Sequence, residues 1–209
     1  MHKIEQLIPN LPGWSSVLKC MKLYSLVVTH NIQSSFEIGT FGCRGSLSMA
    51  FGHFEVGGTC WGVDPYTAEA AIEHTAEEAN INWWSRVDYE TLYRDSIIQT
   101  LAHGLTKQHQ LLRMKAEVAS TIFKNETMGL GVIDGNHNFE LVSRDFELWL
   151  PKIYEGGFVL VDDLQWGGVS RAKHMIEHYG FKEIEIVDDP AGSQWGIYQK
   201  IATLKPEQW

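Results

Sequence analysis

Near the end of the chain, two apolar runs, Ile184–Val187 and Trp195–Ile201, are joined by Asp188-Asp189-Pro190-Ala191-Gly192-Ser193. A parallel crossover needs about a dozen residues or more, usually a helix, so these two segments must pair antiparallel as a hairpin. Upstream the pattern is different. Short apolar runs alternate with stretches whose apolar residues recur every three or four positions, the signature of βαβ units and a largely parallel sheet. The two patterns together predict a doubly wound α/β domain: a mostly parallel seven-stranded sheet, helices on both faces, and an antiparallel hairpin at the end.

The pattern places a helix near residues 15–29 after a turn at Pro12-Gly13, then strands at Ser35–Gly39, Thr59–Val63, Gln110–Met114, Leu130–Asp134 and Gly157–Asp162. Leu47, Ala50, Phe51 and Phe54 fall on one helical face, as do Phe139, Val142, Phe146 and Trp149, and Val169, Ala172, Ile176 and Tyr179. Helices are also predicted near 88–105 and 116–123. Residues 65–87 read as a long polar connection. A length of 209 residues suits one domain, with residues 1–30 as a helical segment packing on a core formed by 31–209.

The net charge is −9 and no Lys/Arg cluster is present, which disfavours nucleic-acid partners, since phosphate neutralisation supplies much of their affinity. No stretch approaches the roughly 20 apolar residues of a membrane span. Cys20, Cys43 and Cys60 are odd in number and lack CxxC spacing, which argues against a disulfide framework or zinc site and points to a reducing, cytoplasmic setting. Whether the chain self-associates is left open.

The segment Phe36-Glu37-Ile38-Gly39-Thr40-Phe41-Gly42-Cys43-Arg44-Gly45 runs from a strand through a Gly-rich turn into a helix. In open α/β sheets, ligands bind beyond the carboxyl ends of the strands, and Gly39 and Gly42 allow close backbone approach. Glu37 narrows the choice of ligand. A dinucleotide lays its pyrophosphate on such a turn and helix N-terminus, where a carboxylate would repel it. S-adenosylmethionine carries an ammonium and a sulfonium and no phosphate. Asp64, at the end of the second strand, is placed to accept hydrogen bonds from ribose hydroxyls.

The runs Glu37-Ile38-Gly39-Thr40-Phe41-Gly42, Gly62-Val63-Asp64-Pro65, Ile133-Asp134-Gly135-Asn136-His137 and Gly156-Gly157-Phe158-Val159-Leu160-Val161-Asp162-Asp163 resemble those of the bacterial class I methyltransferases. Within these the chain is most similar to the small-molecule O-methyltransferases of the catechol and antibiotic-tailoring type. The resemblance runs from Leu11-Pro12-Gly13-Trp14 to the final hairpin. It implies an S-adenosylmethionine-dependent transferase acting on a small-molecule hydroxyl, with cofactor contacts from Glu37, Gly39, Thr40, Phe41, Gly42, Asp64, Lys115 and Asp134. Three departures stand out: Cys43 where relatives commonly have Gly, Gly45 where they have Ser, and Lys115-Ala116 where a Ser often follows the third strand.

Asp134 ends the fourth strand and Asp162-Asp163 end the fifth, so neighbouring strands bring these acids to one rim. Carboxylates gathered in this way repel unless a proton or cation lies between them, and their hard oxygens suit Mg²⁺. The resemblance implies that Asp134, Asp162 and Asp163 hold a divalent ion against the substrate hydroxyl. The alternative is that Asp134 and Asp163 cap the following helices. His137, three residues past Asp134, is a candidate general base beside Asp134, because imidazoles ordinarily titrate near ~6.5; catechol-type relatives have a lysine there. The alternative is a capping or substrate-contact histidine.

His53, His103, His109, His174 and His178 follow no ligand spacing and are expected at the surface. Trp61 is expected to pack, and Trp83, Trp84 and Trp166 to form an aromatic lid. Two rivals remain: a nicotinamide-dependent oxidoreductase, opposed by Glu37 and the hairpin, and a methyltransferase-fold protein that binds without catalysing.

Overall fold

In the computed structural model, described over residues 2–74 and 77–202, seven strands form one sheet. They are β1 (Ser34–Ile38), β2 (Thr59–Val63), β3 (His109–Leu112), β4 (Met128–Ile133), β5 (Ile153–Val161), β6 (Phe181–Asp188) and β7 (Gln194–Lys200). Their order is β3-β2-β1-β4-β5-β7-β6. All neighbours are parallel except β7, which is antiparallel to both β5 and β6. The terminal hairpin therefore inserts its second strand between β5 and its first strand.

The helices are α1 (His2–Leu7), α2 (Val17–Thr29), α3 (Arg44–Val56), α4 (Ala68–Ala71), α5 (Glu78–Trp84), α6 (Tyr89–Ala102), α7 (Ala116–Ser120), α8 (Phe139–Trp149), α9 (Gly167–Ala172) and α10 (His174–His178). Those between strands make the parallel connections, and the buried side chains separate into two clusters. One joins α2 and α3 to the face carrying Leu130, Val132, Phe158 and Leu160. The other joins α8, α9 and α10 to the face carrying Phe36, Ile38, Val159 and Val161. The shift from Leu160 in one cluster to Val161 in the other shows the period-two alternation of a strand.

Helix α2 lies directly on α3. A Cβ at Gly52 of α3 would stand 2.8 Å from Val27 Cβ, so the missing side chain allows the two helices to approach this closely. The N-terminal segment is fastened further. Arg44 donates from Nε to Leu11 O at 2.9 Å and from Nη1 to Ser15 O at 3.2 Å. Ser16 and Trp195 both donate to Asp189 Oδ2 in the hairpin turn.

The structure differs from the expected pattern in several places. Residues 65–87 contain α4 and α5, which are too short to show an apolar stripe. The predicted third strand begins and ends earlier, at His109 and Leu112, and the helix expected over 116–123 stops at Ser120. The single helix expected after the fifth strand is two short ones, α9 and α10. Phe54 is 62% exposed although it shares the apolar period of Leu47 and Ala50; at this end of α3 it is Gly52, against Val27 of α2, and His53, against Ser35 of β1, that face the core. His53 and His109 are buried, not surface residues. His53 Nε2 meets Ser35 Oγ at 2.8 Å and its Nδ1 meets Gly57 O at 3.2 Å. His109 Nδ1 meets Thr100 Oγ1 at 2.7 Å. Hydrogen-bond partners of this kind let a neutral imidazole be buried, and burial pushes His109 down to about 4.

Phe36 shows how tightly the central strands are packed. It is fully buried, its ring lies 4.6 Å from that of Trp149, and a Cβ on Gly131 of the neighbouring strand would fall 2.3 Å from its Cζ. Phe36→Ala should lower unfolding free energy by about 3–5 kcal/mol, measured by urea denaturation. Phe54→Ala, at the exposed position, should change it by no more than roughly 0.5 kcal/mol.

Candidate active site

The strand ends are aligned by backbone hydrogen bonds that step from one strand to the next. Gly39 N donates to Val63 O at 2.9 Å, Asp64 N to Leu112 O at 3.2 Å, Asp134 N to Ile38 O at 3.0 Å and Asp162 N to Ile133 O at 3.1 Å. One side of the strand order runs β1, β2, β3 and the other begins at β4, so the crevice of an open α/β sheet lies between β1 and β4. Gly39 sits at this point with φ +83°, and a Cβ there would be 2.0 Å from Asp134 O. Only glycine permits both the conformation and the approach.

Glu37 is buried on the α3 side, and its Oε2 accepts a 2.7 Å hydrogen bond from Ser46 N. Cys43 precedes the helix without a side-chain cap, so Glu37 supplies the negative charge at the helix N-terminus. A Cβ at Gly45 would lie 2.0 Å from Glu37 Oε1, so Gly45 makes room for this carboxylate. Burial pushes Glu37 up to about 7, with the Ser46 hydrogen bonds and Lys19 opposing the rise. The same geometry weighs against the nicotinamide-dependent alternative, since a carboxylate occupies the helix N-terminus that a pyrophosphate would need.

Each Asp64 oxygen accepts an amide hydrogen, Oδ2 from Phe41 N at 3.0 Å and Oδ1 from Tyr66 N at 2.7 Å. Burial raises its pKa and these hydrogen bonds work against that rise. Thr40 Oγ1 lies 3.0 Å from the Tyr66 hydroxyl. A Cβ at Gly42 would be 2.1 Å from Pro12 O, so this glycine admits the N-terminal segment. Lys115 Nζ donates to Glu73 Oε2 at 2.7 Å. Asn136 Nδ2 donates to Glu73 O at 3.0 Å, tying the 65–87 connection to the rim.

Asp134 and Asp162 stand together with a group that sequence reasoning missed, the ammonium of Lys19 from α2. Lys19 is 2% exposed. Its Nζ is ion-paired with Asp162 Oδ2 and lies 3.5 Å from Asp134 Oδ2. Burial opposes the lysine's charge, but the two carboxylates outweigh it and raise its pKa. Burial and the neighbouring Asp162 push Asp134 well above the carboxylate range. A sequence signal for Lys19 did exist, because with Cys20, Leu23, Tyr24 and Val27 it lies on the buried stripe of α2.

Asp163 pairs with His137. Its Oδ2 is 3.0 Å from His137 Nε2, off the line of an ideal hydrogen bond, and its Oδ1 accepts from Gln165 Nε2 at 3.0 Å. Burial raises the Asp163 carboxyl, but His137 outweighs this and holds it below its usual value. Gly168 brings the two loops together, since a Cβ there would be 2.0 Å from His137 O. Neither Asp134 nor Asp163 caps a helix. Asn138 caps α8, and α9 has no side-chain cap. One donor atom from each of Asp134, His137 and Asp163 lies within 4.8 Å of the others, and Asp162 is not of that group.

The tryptophans cover both ends of this rim. Trp83 and Trp84 pack with Trp14 and with Phe41 of the Gly-rich turn, at ring separations of 4.7–6.5 Å. Trp166 lies 4.9 Å from the His137 ring. Trp61 packs against Phe123. A separate concavity of about 510 Å³ is walled by Ala79, Asn82, Trp83, Arg86 and Val87. None of those walls is a strand end, and Trp83 is the one it shares with the aromatic cluster on Phe41.

The family model described as a methyltransferase domain matches residues 36–164. The chain belongs to that family. It is a methyltransferase of the S-adenosylmethionine-dependent class, and no curated protein matches it by sequence. Solved structures share the fold of this methyltransferase. The O-methyltransferase of Bacillus cereus in complex with S-adenosylhomocysteine has a TM-score of 0.64 at 16% identity, covering 95% of this chain and 90% of that one. The O-methyltransferase TomG of Streptomyces achromogenes, involved in tomaymycin synthesis and solved with S-adenosylmethionine, has a TM-score of 0.61 at 16% identity over 96% and 89%. A Podospora anserina methyltransferase with S-adenosylhomocysteine bound has a TM-score of 0.63 at 12% identity over 96% and 87%. Among the described residues of this methyltransferase, no helix is long and apolar enough to cross a membrane.

Glu37 gives the methyltransferase a pH-dependent stability. Its pKa in the fold is about 7 against an ordinary 4.5, so the folded chain holds a proton that the unfolded chain releases between those values. This contribution is fully present below about 4.5 and is lost as pH rises through 7. Glu37→Gln, which cannot ionise, should therefore gain on the wild type between pH 5 and pH 8 by on the order of 3 kcal/mol. Thermal denaturation of both proteins across that range measures it; parallel curves would show that Glu37 is not the titrating group.

Proposed function

We propose that this methyltransferase moves the methyl group of S-adenosylmethionine to a hydroxyl oxygen of a small molecule, with His137 as general base and Asp163 as its orienting partner. The observation that carries this reading is the His137–Asp163 contact beside the β1–β4 crevice. The O-methyltransferases among the structural relatives support the choice of a hydroxyl acceptor. The net charge of −9 is in keeping with a small-molecule substrate and not a nucleic acid.

The cofactor would lie across the ends of β1 and β2. Glu37 would face its ammonium, and the Gly39–Gly42 turn with Thr40 and Phe41 would follow its length. Asp64 accepts one amide on each oxygen and keeps lone pairs for the ribose hydroxyls. Lys115 and Asp134 would flank the crevice from the ends of β3 and β4. Asp163, against Nε2, leaves His137 Nδ1 to take the hydroxyl proton. The oxygen then attacks the methyl carbon in line, the C–S bond breaks with its electron pair passing to sulfur, and the cofactor leaves as a neutral thioether. Such a transfer depends mainly on positioning. Trp83, Trp84, Trp14 and Trp166 would screen the reacting groups from water.

Magnesium assistance, expected from the three aspartates, is the part these residues fit least. Mg²⁺ takes oxygen donors in octahedral geometry, and Asp162 is already joined to the ammonium of Lys19. The donors that do converge, Asp134, His137 and Asp163, include the imidazole needed as base. The proposed reaction therefore uses no metal step.

Glu37→Gln and Asp64→Asn should each weaken S-adenosylhomocysteine binding about tenfold, the worth of a charge-assisted hydrogen bond, as measured by titration calorimetry at pH 8. Unchanged affinity in both would remove the cofactor assignment. His137→Ala should lower kcat roughly 10²–10⁴-fold with cofactor affinity retained. The loss should shrink for more acidic phenols, which arrive ionised. If the variant changes only KM, and equally for all acceptors, His137 is a binding contact.

A further inference from the structure

The place where carboxylates crowd at the ends of β4 and β5 already holds a cation from within the chain. Lys19 reaches it from α2, is 2% exposed, and meets Asp162 and Asp134 together. The lysine is not a surface side chain that happens to fold inward. Its backbone amide is fixed at the helix N-terminus by Ser16 Oγ at 3.0 Å. The segment before it is held by Arg44 and by the approach of Pro12 to Gly42. The ammonium is bonded to Asp162 at Oδ2, while Oδ1 is buried without a hydrogen-bond partner. A second cation entering between Asp134 and Asp162 would have to displace it and would be repelled by it.

Resting on the methyltransferase reading above, we propose that Lys19 is the resident cation of this active site: an ammonium built into the fold that pairs with Asp162, holds Asp134 beside it at the crevice, and keeps divalent ions out. Lys19 is thus a positioning residue that acts through Asp134. It also accounts for the arrangement on the other side of the rim. With Asp162 paired to the ammonium and Asp134 held beside it, Asp163 is the carboxylate that orients His137, and the imidazole is not needed as a metal ligand. Removing the ammonium should leave a buried acidic pair with space beside it, which is what a divalent ion seeks.

The test is Mn²⁺ binding to the full chain, freed of metal by chelator and desalted, followed by electron paramagnetic resonance of the unbound ion. Wild type and Lys19→Arg should bind no Mn²⁺ at this site. Lys19→Met should acquire a site at least tenfold tighter than any wild-type binding, and Asp162→Asn added to it should abolish that site. Methyl transfer by the wild type should be unchanged by excess EDTA, whereas Lys19→Met should lose at least tenfold in kcat and recover part of it with Mn²⁺. A lysine with a merely structural role would not create a metal site when removed. Stoichiometric Mn²⁺ on the wild type, or Lys19→Met that folds and gains no affinity, overturns the proposal. Should Lys19→Met not fold, wild type and Lys19→Arg decide it, since tight Mn²⁺ on either one refutes exclusion and none on both supports it. Failure of the methyltransferase reading would appear separately, as wild type that does not bind S-adenosylhomocysteine.

Discussion

Strand β1 pairs in parallel with β2 on one side and β4 on the other, and most of the site follows from that placement. The register Ile38 opposite Ile133 puts Gly39 against Asp134. The side of β1 facing α3 carries Glu37 to the helix N-terminus. The parallel step from β4 to β5 then brings Asp162 and Asp163 to the same rim. Side chains from three separate strand ends are placed by backbone hydrogen bonds, which do not depend on the side chains themselves. The chemistry can thus vary at the strand ends while the sheet beneath stays the same.

Much of this was legible because the signals were periodic. The two apolar runs at 184–187 and 195–201 had to pair antiparallel, and they do so as β6 and β7. Phe146 and Trp149 repeat at helical spacing, and both are buried in α8. The Gly-rich turn between Phe36 and Gly45 lies between β1 and α3 as its composition requires. Acids at the ends of β2, β4 and β5 could be placed because a strand end is a position that sequence marks well.

What the sequence hid were pairings across the sheet. Lys19 shows in the sequence only as a lysine on the apolar stripe of its helix, and nothing local names its carboxylate partners, more than a hundred residues away. His53 and His109 have no local feature that announces Ser35 or Thr100. Gly45 reads as a departure from relatives, and only the position of Glu37 shows that it makes room for a carboxylate. In each case the deciding quantity is a distance between elements, which no periodicity encodes. Phe54 is the opposite error, a residue whose periodicity is apolar but which is exposed while its neighbours Gly52 and His53 face the core.

The fastening of the N-terminal segment has a consequence for synthesis. Lys19 and Ser16 are made early, while Asp162 and Asp189 are made late. On the ribosome, where chain emerges at about 5–20 residues per second, α2 must wait for nearly the whole domain before its lysine meets a carboxylate. Until then, the strands β1, β2 and β3 can form without the site they will support. Assembly of the carboxylate rim is therefore among the last events of folding, and a chain that stalls short of β5 holds the Gly-rich turn without Asp162 and Asp163.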